Sequence, residues 1–423
     1  MAAHTVIASG RDIRLDLFRG LALWFIFVDH IPTNVVSWFT VRNYGFSDAT
    51  EIFVFISGYT AVIAYARMMQ REGWVRAAAR VYRRVWQLYV AHILLFMAFA
   101  AQIIWVSIAR DMPSLIDEME LMGLGENPYR AILAAALLQF RPVNLDVLPL
   151  YIVLLAAFPF VLPAVIRWPF AVIAVSLVLY AATCHFNWNL PAYPEGKVWY
   201  FNPLAWQVVF YVGTACAVLG PQLAWLDRFR WPLLVLAGLY LLFAAFIALS
   251  WHYNSLQEIT PAWVARQIYP IDKTNIDILR FLHFLALAWL VRVLVPAQAA
   301  FLRWPVFHPL RRCGEQSLLI FCIGTFLALS AQIVVSYFEE SLLSQIVVSV
   351  AGILVMCAAA YVATWFKSGG SAGSGRTPST VKKLAVTYRP MTRSGSPSPV
   401  STPPDTTRAD SPSKAEAVAR QSR

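Results

Sequence analysis

The stretch that decides the fold is residues 16–30, DLFRGLALWFIFVDH, in which an apolar run is interrupted by ionisable residues. The run extends to residue 39, and a helix needs about 20 mostly apolar residues to cross a bilayer. Because the run contains Arg19, Asp29 and His30 and no small-residue cleavage site follows it, a cleaved signal peptide is not expected. We therefore predict that residues 18–39 form the first transmembrane helix.

Nine further apolar segments of similar length follow along the chain. Of the 423 residues, 59% are hydrophobic and only 13% are charged, whereas a soluble domain has about 25% charged residues. The sequence therefore predicts an all-α, polytopic membrane protein and excludes a soluble enzyme. A further apolar segment, 129–140, is about half a span long and predicts an interfacial or re-entrant helix. The ten predicted spans are 18–39, 49–69, 85–109, 146–166, 168–186, 202–220, 231–250, 279–296, 316–337 and 344–366.

The arginines predict the orientation of these spans, since Lys and Arg concentrate in cytoplasmic loops. Segment 67–84 carries six arginines, so we expect it to be cytoplasmic, with both chain termini on the same side. An eleventh span at 129–140 would instead move the arginines of 303–312 to the outside. The long outer segments are then 110–145, 187–201 and 251–278.

The end of the chain differs in composition from the membrane domain, which we assign to residues 1–366. Segment 367–423 is rich in Ser and Pro and holds ten Lys or Arg against three Asp or Glu, which is most of the net charge of +11. Such a segment cannot bury a core, and we expect a disordered, basic cytoplasmic tail. Because the excess charge lies there and in loops, nucleic-acid binding is not expected.

Polar side chains in the first span form one stripe. Arg19 and His30 are eleven residues apart, so they share a helix face about 16 Å apart along the axis, and Asp16 lies one turn before Arg19. Ionisable groups are costly in a bilayer and usually face a functional interior. Alternatively, Arg19 could reach lipid phosphates and His30 could be interfacial. The presence of Asp16 and Asp29 beside Arg19 and His30 favours a functional site over a simple membrane anchor.

The second span begins with two carboxylates, Asp48 and Glu51. In an antiparallel pair of spans, Glu51 lies at a depth similar to that of His30. Glu51 or Asp29 could therefore orient the imidazole as a general base. The structural alternatives are a helix N-cap for Asp48 and a charge that complements the helix dipole for Glu51. The Ser57-Gly58 pair could line a site or allow close helix packing.

Other polar residues are weaker candidates. The arginines of 67–84, including Arg83 and Arg84, either set the topology or bind a phosphate-bearing donor. His92 and His283 are expected to be packed polar residues, and Asp146 either lines an outer opening or caps a helix. No Walker motif, dinucleotide motif or zinc motif occurs, and we expect no bound metal. An outer group of aromatic residues could anchor the interface or stack on sugars: Trp188, Tyr193, Trp199, Tyr200 and Trp206.

Two sets of residues resemble a known family. The residues from Asp16 to His30 are similar to the Arg-x10-His signature of the membrane acyltransferase-3 superfamily, and FVFISGY at 53–59 resembles the stretch that follows it. More narrowly, the chain resembles the OpgC type over about residues 11–366. This resemblance rests on DLFRGLALWFIFVDHIP, NYGFSDATEIFVFISGY, RRVWQLYVAHILL, LDVLPLYIVLL and GEQSLLIF.

The resemblance implies an inner-membrane enzyme that moves an acyl group, succinyl in the OpgC type, from a cytoplasmic acyl-CoA to a periplasmic glucan. It implies that His30 is the essential imidazole and Arg19 the motif cation. No bound cofactor is expected, with acyl-CoA, possibly succinyl-CoA, as co-substrate. Two other classes remain open: a transporter or flippase without acyl-transfer chemistry, and an envelope sensor that signals through its tail.

Overall fold

The protein is built from helices. The computed structural model describes residues 12–220 and 222–372, and within these ranges no strand forms apart from one isolated bridge between Pro191 and Val198. The long helices are α1 (Ile13–Asp29), α2 (Ala49–Glu72), α3 (Trp74–Ala109), α4 (Val147–Arg167), α5 (Pro169–Phe186), α6 (Pro203–Leu219), α7 (Arg230–Ser250), α8 (Ile278–Leu294), α9 (Ser317–Tyr337) and α10 (Leu342–Ala372).

Short helices occupy the connections. The α-helical ones are Ser114–Glu118, Met122–Glu126, Pro128–Ala136, Asn254–Ile259, Ala262–Ile268 and His308–Glu315, and the 3-10 turns are Val35–Phe39, Val41–Tyr44, Gln222–Phe229, Ala300–Arg303 and Pro305–Phe307. Pro128–Ala136 has nine residues, about 14 Å of helix, which is too short to cross a bilayer. The segment 129–140 is therefore not a transmembrane helix.

The predicted all-α, polytopic class is confirmed. Each predicted span coincides with one of the ten long helices, and seven described helices are long and apolar enough to cross a membrane: α2, α3, α4, α5, α7 with its preceding turn, α9 and α10. The other three, α1, α6 and α8, have 17 residues each, slightly fewer than the ~20 of an upright span. The number of spans and their orientation stay predictions.

Several predicted boundaries differ from the structure. Helix α1 begins at Ile13 rather than at residue 18, and α3 begins at Trp74 rather than at residue 85. Helix α1 ends at Asp29 rather than continuing to residue 39, because Pro32 disfavours helical backbone at the residue before it and has no N–H to donate. At the other end, α10 continues to Ala372, past the predicted boundary at 366. The rest of the predicted tail, 373–423, lies outside the described residues.

The helices that carry the predicted site lie together in the bundle. Helix α1 packs on α2, on α9 and on the short helix His308–Glu315, while α2 also packs on α3 and α6. The side chain of Asp12 caps the start of α1, and Asp48 and Glu51 form a reciprocal capping box at the start of α2. These caps fix where both helices begin, and they place residues 30–48 between them as one connecting loop.

The contact between α1 and the short helix His308–Glu315 depends on two glycines. A Cβ on Gly314 would lie 1.9 Å from the carbonyl oxygen of Asp16, and a Cβ on Gly20 would lie 2.0 Å from that of Leu310. Both obstacles are backbone atoms, so no side-chain rotation can relieve the overlap. Gly314, the first residue of the GEQSLLIF segment, therefore has no room for a side chain.

We expect Gly314→Ala to lower the stability of the protein by about 1–3 kcal/mol or more, because the helices must separate. Gly238→Ala is the matched control: Gly238 lies within α7, and a Cβ there meets nothing within 4 Å. That control should be neutral or stabilising, since alanine favours helix. Thermal unfolding of both purified variants in detergent checks the difference, and equal melting temperatures would contradict it.

Candidate active site

A large cavity, which we call the outer cavity, opens at the end of the bundle where α1 ends and α2 begins. Its volume is about 1050 Å³, and the loop 30–48 and the three predicted outer segments all contribute to its lining. These segments were predicted to share one side of the membrane, and the structure does bring them to the same end of the bundle. Lining residues include Asp29, His30, Trp38, Arg42, Asp48, Arg141, Asp146, Tyr193, Tyr200, Trp251, His252, Lys273 and Arg280.

His30 lies in the wall of the outer cavity, directly after the last residue of α1. Its Nδ1 is in short contact with the carbonyl oxygen of Ile26. Because a carbonyl oxygen only accepts hydrogen bonds, Nδ1 is the donor in this contact, and in the neutral ring Nε2 then keeps its lone pair. A neutral imidazole with a free Nε2 beside a cavity is the form that a general base requires.

The contact that orients the ring is therefore a backbone carbonyl, which corrects the predicted role of Glu51 or Asp29. Asp29 Oδ1 accepts a hydrogen bond of 2.7 Å from Thr40 Oγ1. Glu51 is fully buried and accepts from Arg280 Nε at 2.9 Å and from Arg280 NH2 at 2.6 Å. Both carboxylates thus bind other partners.

The buried carboxylates at the start of α2 form an ion network with two cations, Lys273 and Arg280. Asp48 Oδ2 lies 2.6 Å from Lys273 Nζ and 3.1 Å from Arg280 NH2. Burial acts to raise the pKa of Asp48, but the charges of Lys273 and Arg280 outweigh it and hold that pKa well below its ordinary value. Asp48 is therefore ionised at neutral pH, and the network ties α2 to α8 and to the loop before α8.

Asp48 and Glu51 also fulfil the structural roles that were considered for them. Asp48 Oδ1 accepts from the backbone N–H of Thr50 at 2.8 Å, and Glu51 Oε2 accepts from the backbone N–H of Asp48 at 2.9 Å. Both carboxylates cap the helix and neutralise cations at once. We assign them to positioning rather than to catalysis.

A second ion pair in the lining of the outer cavity joins Arg141, which is buried, to Asp146, which is half-buried. Arg141 Nε donates to Asp146 Oδ1 at 2.9 Å, and its guanidinium lies 4.2 Å from the ring centre of Trp199. Asp146 makes no side-chain cap, so of its two predicted roles the structure supports the lining of the cavity. Of the predicted outer aromatic residues, Tyr193 and Tyr200 also line the cavity, while Trp199 and Trp206 are buried.

A second, smaller cavity lies toward the predicted cytoplasmic side, and we call it the inner cavity. It has a volume of about 80 Å³ and is lined by residues of α1, α2, α3, α4 and α9. Its lining includes three of the five residues predicted to bind substrate: Arg19, Ser57 and Arg84. Arg19 NH2 donates to Thr60 Oγ1 at 2.6 Å, and the inner cavity carries two guanidinium groups beside several hydroxyl groups.

Three aromatic rings form a layer at the top of the inner cavity: Phe53, Tyr151 and Phe321. The centre of the Phe53 ring lies 5.8 Å from that of Phe321 and 6.5 Å from that of Tyr151. All three line the inner cavity, whereas Thr50, one turn before Phe53, lines the outer cavity. The linings of the two cavities are thus about one helical turn apart on α2 and adjacent on α4, where Val147 lines the outer cavity and Leu148 lines the inner one.

Two of the predicted donor-binding residues line neither cavity. Asp16 is half-buried in the first turn of α1, next to the short helix that contains Gly314, and Arg83 is exposed on α3. On the helix, Arg83 is rotated by about 100° from Arg84, and this rotation turns it away from the bundle. Among the described residues, no three His, Cys, Asp or Glu side chains are grouped as metal ligands.

His92 and His283 were predicted to be packed polar residues, and the structure buries both. Neither ring nitrogen of His92 has a partner within the part of the chain that the structure describes. His283 Nδ1 accepts from the backbone N–H of Ser47 at 3.3 Å and contacts Ser47 Oγ at 2.7 Å. His283 thus fixes the loop before α2 and lies outside the outer cavity lining.

Sequence reasoning missed the cations of the outer cavity, Lys273, Arg280 and Arg141. One signal could have revealed Arg280: it lies in the first turn of α8, where the positive end of the helix dipole disfavours a cation. Such a residue needs carboxylate partners, and the buried pair at the start of α2 supplies them. Lys273 lies in a loop and carries no comparable signal.

Comparison with known proteins gives one match. A family model described as OpgC protein matches residues 11–368, which is nearly the whole described chain. No curated protein and no solved structure matches significantly.

Proposed function

Because this chain belongs to the OpgC protein family, we propose that it is an inner-membrane O-acyltransferase that modifies a periplasmic glucan. The acyl donor is a cytoplasmic acyl-CoA, with succinyl-CoA as the first choice. The observation that carries the proposal is the position of His30. Its Nδ1 contacts a backbone carbonyl, which leaves Nε2 as the basic nitrogen of the neutral ring, and it borders a cavity large enough for sugar residues.

The chemistry requires one base. His30 Nε2 removes the proton from an acceptor hydroxyl while that oxygen attacks the thioester carbon. The tetrahedral intermediate then collapses, the C–S bond breaks, and the leaving CoA thiolate takes the proton from His30. General-base assistance of this kind contributes about 10²–10⁴ in rate.

The two cavities suit two substrates that arrive from opposite sides. The inner cavity offers Arg19 and Arg84 to an anionic donor, since guanidinium groups bind phosphate well. The outer cavity is lined by aromatic rings and by acid–base pairs that neutralise each other, which suits a neutral, polyhydroxylated acceptor. Arg19 and His30 are about 16 Å apart along α1, a distance that the extended arm of CoA can bridge once the aromatic layer gives way.

Mass spectrometry of periplasmic oligosaccharides tests the proposal in cells with and without the gene. We expect acylated glucans only in cells that carry it. Purified protein in detergent, supplied with labelled succinyl-CoA and unmodified glucan, should transfer the label to the sugar and release CoA. A transporter or flippase would show neither transfer nor CoA release in that assay.

We expect Arg19→Ala to act on donor use rather than on the acceptor. Loss of a charge-assisted hydrogen bond of about 1.5–3 kcal/mol should raise the KM for acyl-CoA roughly ten- to a hundredfold, with a smaller effect on the KM for glucan. Arg83→Ala is the matched control, because Arg83 lies on the same predicted side of the membrane but is exposed and outside the inner cavity. An unchanged acyl-CoA dependence in Arg19→Ala would contradict the donor assignment.

A further inference from the structure

The outer cavity contains a cation that the acid–base step does not use. Lys273 Nζ donates one of its three N–H groups to Asp48 Oδ2 at 2.6 Å and lies 5.5 Å from the centre of the Phe201 ring, and its other two N–H groups have no hydrogen-bond partner among the described residues. The Lys273 side chain is 28% exposed, and it borders the same cavity as His30. Burial is the main cause that lowers the pKa of His30, and the charges of Lys273, Asp48 and Arg42 are close enough to affect that pKa as well.

The other cations of the outer cavity are less suited to contact a reacting group. Arg280 donates through Nε and NH2 to buried carboxylates and is only 11% exposed. Arg141 is held between Asp146 and Trp199. Arg42 donates to the backbone oxygen of Asp29 and is exposed. Lys273 thus combines N–H groups that lack a hydrogen-bond partner with a position in the lining of the cavity that His30 also borders.

The loop that carries Lys273 is held from both sides. The carbonyl oxygen of Lys273 accepts from Trp206 Nε1 at 3.0 Å, and the carbonyl oxygen of Thr274 accepts from the backbone N–H of Asn202 at 3.1 Å. The carboxylate of Asp272 accepts from the backbone N–H of Thr274 at 2.7 Å. The ammonium group is thereby positioned before substrate arrives, and a fixed donor stabilises a developing charge most effectively.

We propose that Lys273 is a catalytic residue that donates a hydrogen bond to the oxyanion formed when the acceptor hydroxyl attacks the thioester carbon. The carbonyl oxygen gains the negative charge as the C–O bond forms, and it returns to a carbonyl as the C–S bond breaks. Lys273 keeps its proton throughout, while His30 carries the transferred proton. This inference rests on the proposed acyl transfer.

Steady-state kinetics of the purified protein with succinyl-CoA and glucan test the role of Lys273. We expect Lys273→Gln to lower kcat about 10²–10³-fold, the usual cost of losing one oxyanion donor, with both KM values unchanged. Lys273→Arg should recover part of the rate. Lys367→Gln is the matched control, since Lys367 is exposed near the end of α10 and lines neither cavity, and it should keep the wild-type kcat.

A second pair of variants separates catalysis from the ion pair with Asp48. Asp48→Asn removes the charge partner but keeps the lysine and a good N-cap, so its kcat should fall much less than that of Lys273→Gln. In Lys273→Gln, Asp48 and Glu51 share Arg280 as their one remaining cation in the network. If that variant does not accumulate, the double variant Lys273→Gln/Asp48→Asn removes the excess buried negative charge and should still show the low kcat. A wild-type kcat in Lys273→Gln or in the double variant, or an equal loss in Asp48→Asn, would overturn the role of Lys273. Absence of transfer by the wild-type protein would instead refute the proposed function.

Discussion

Cells in which His30 is replaced by alanine are expected to contain unacylated periplasmic glucans, although the protein still reaches the membrane. The reason is chemical: Nε2 of His30 is the free ring nitrogen beside the outer cavity, and no other described histidine combines this position with a fixed tautomer. The loss should be at least the 10²–10⁴-fold of a general base. Mass spectrometry of glucans from a deletion strain that expresses the variant measures the result.

Two further variants show whether the loss comes from the imidazole itself. His30→Gln keeps similar volume and can hydrogen-bond, but it cannot serve as a base at neutral pH, so it should be as inactive as the alanine variant. His185→Ala changes an exposed histidine on α5 outside both cavities and should retain activity. Normally acylated glucans in the His30→Gln strain would show that His30 is not the general base.

Among the variants proposed for this protein, replacement of Arg280 by methionine is expected to cause the largest loss of stability. Arg280 is the direct partner of Glu51, which is fully buried, and it also contacts Asp48. Removal of one partner leaves a buried carboxylate without compensation, which costs about 3–5 kcal/mol. Thermal unfolding in detergent and the amount of protein recovered from membranes both report this loss.

A double variant and an exposed ion pair provide the controls for this effect. Arg280→Met combined with Glu51→Gln removes both charges and should recover part of the stability, because the two residues interact directly. Arg292→Met breaks an ion pair with Asp227 in which the Arg292 side chain is 39% exposed and the Asp227 side chain 57% exposed. This variant should lower the free energy of unfolding by no more than about 1 kcal/mol. If Arg280→Met and Arg292→Met unfolded at the same temperature, the buried ion network would contribute no more to stability than an exposed ion pair does.

The fold was predictable because its signal is local. Each of the ten predicted spans is a long apolar run, and the structure places a helix on each of them. Arg19 and His30 fall at the inner and outer cavities because their spacing within one helix fixes both distance and face. The boundary at residue 39 was not predicted correctly, since a proline can end a helix within an otherwise apolar segment.

The partners of the site residues were not predictable, because they come from distant parts of the chain. Glu51 meets Arg280, 229 positions later, and no periodicity within α2 carries that information. Glu51 was therefore predicted to contact His30, because the two residues lie at similar depths in the membrane when the first two spans are antiparallel. Lys273 was missed for the same reason: its position is set by a loop that Asn202, Trp206 and Asp272 hold in place.

The aromatic layer of Phe53, Tyr151 and Phe321 has a consequence for the cell beyond acyl transfer. A continuous water-filled path from one face of the bundle to the other would let protons and small ions leak across and dissipate the electrochemical gradient. The rings of Phe53, Tyr151 and Phe321 pack where the linings of the two cavities meet, and we expect them to limit hydration of that path. A variant with alanine at all three positions should therefore make the bilayer leakier to protons than the wild-type protein does.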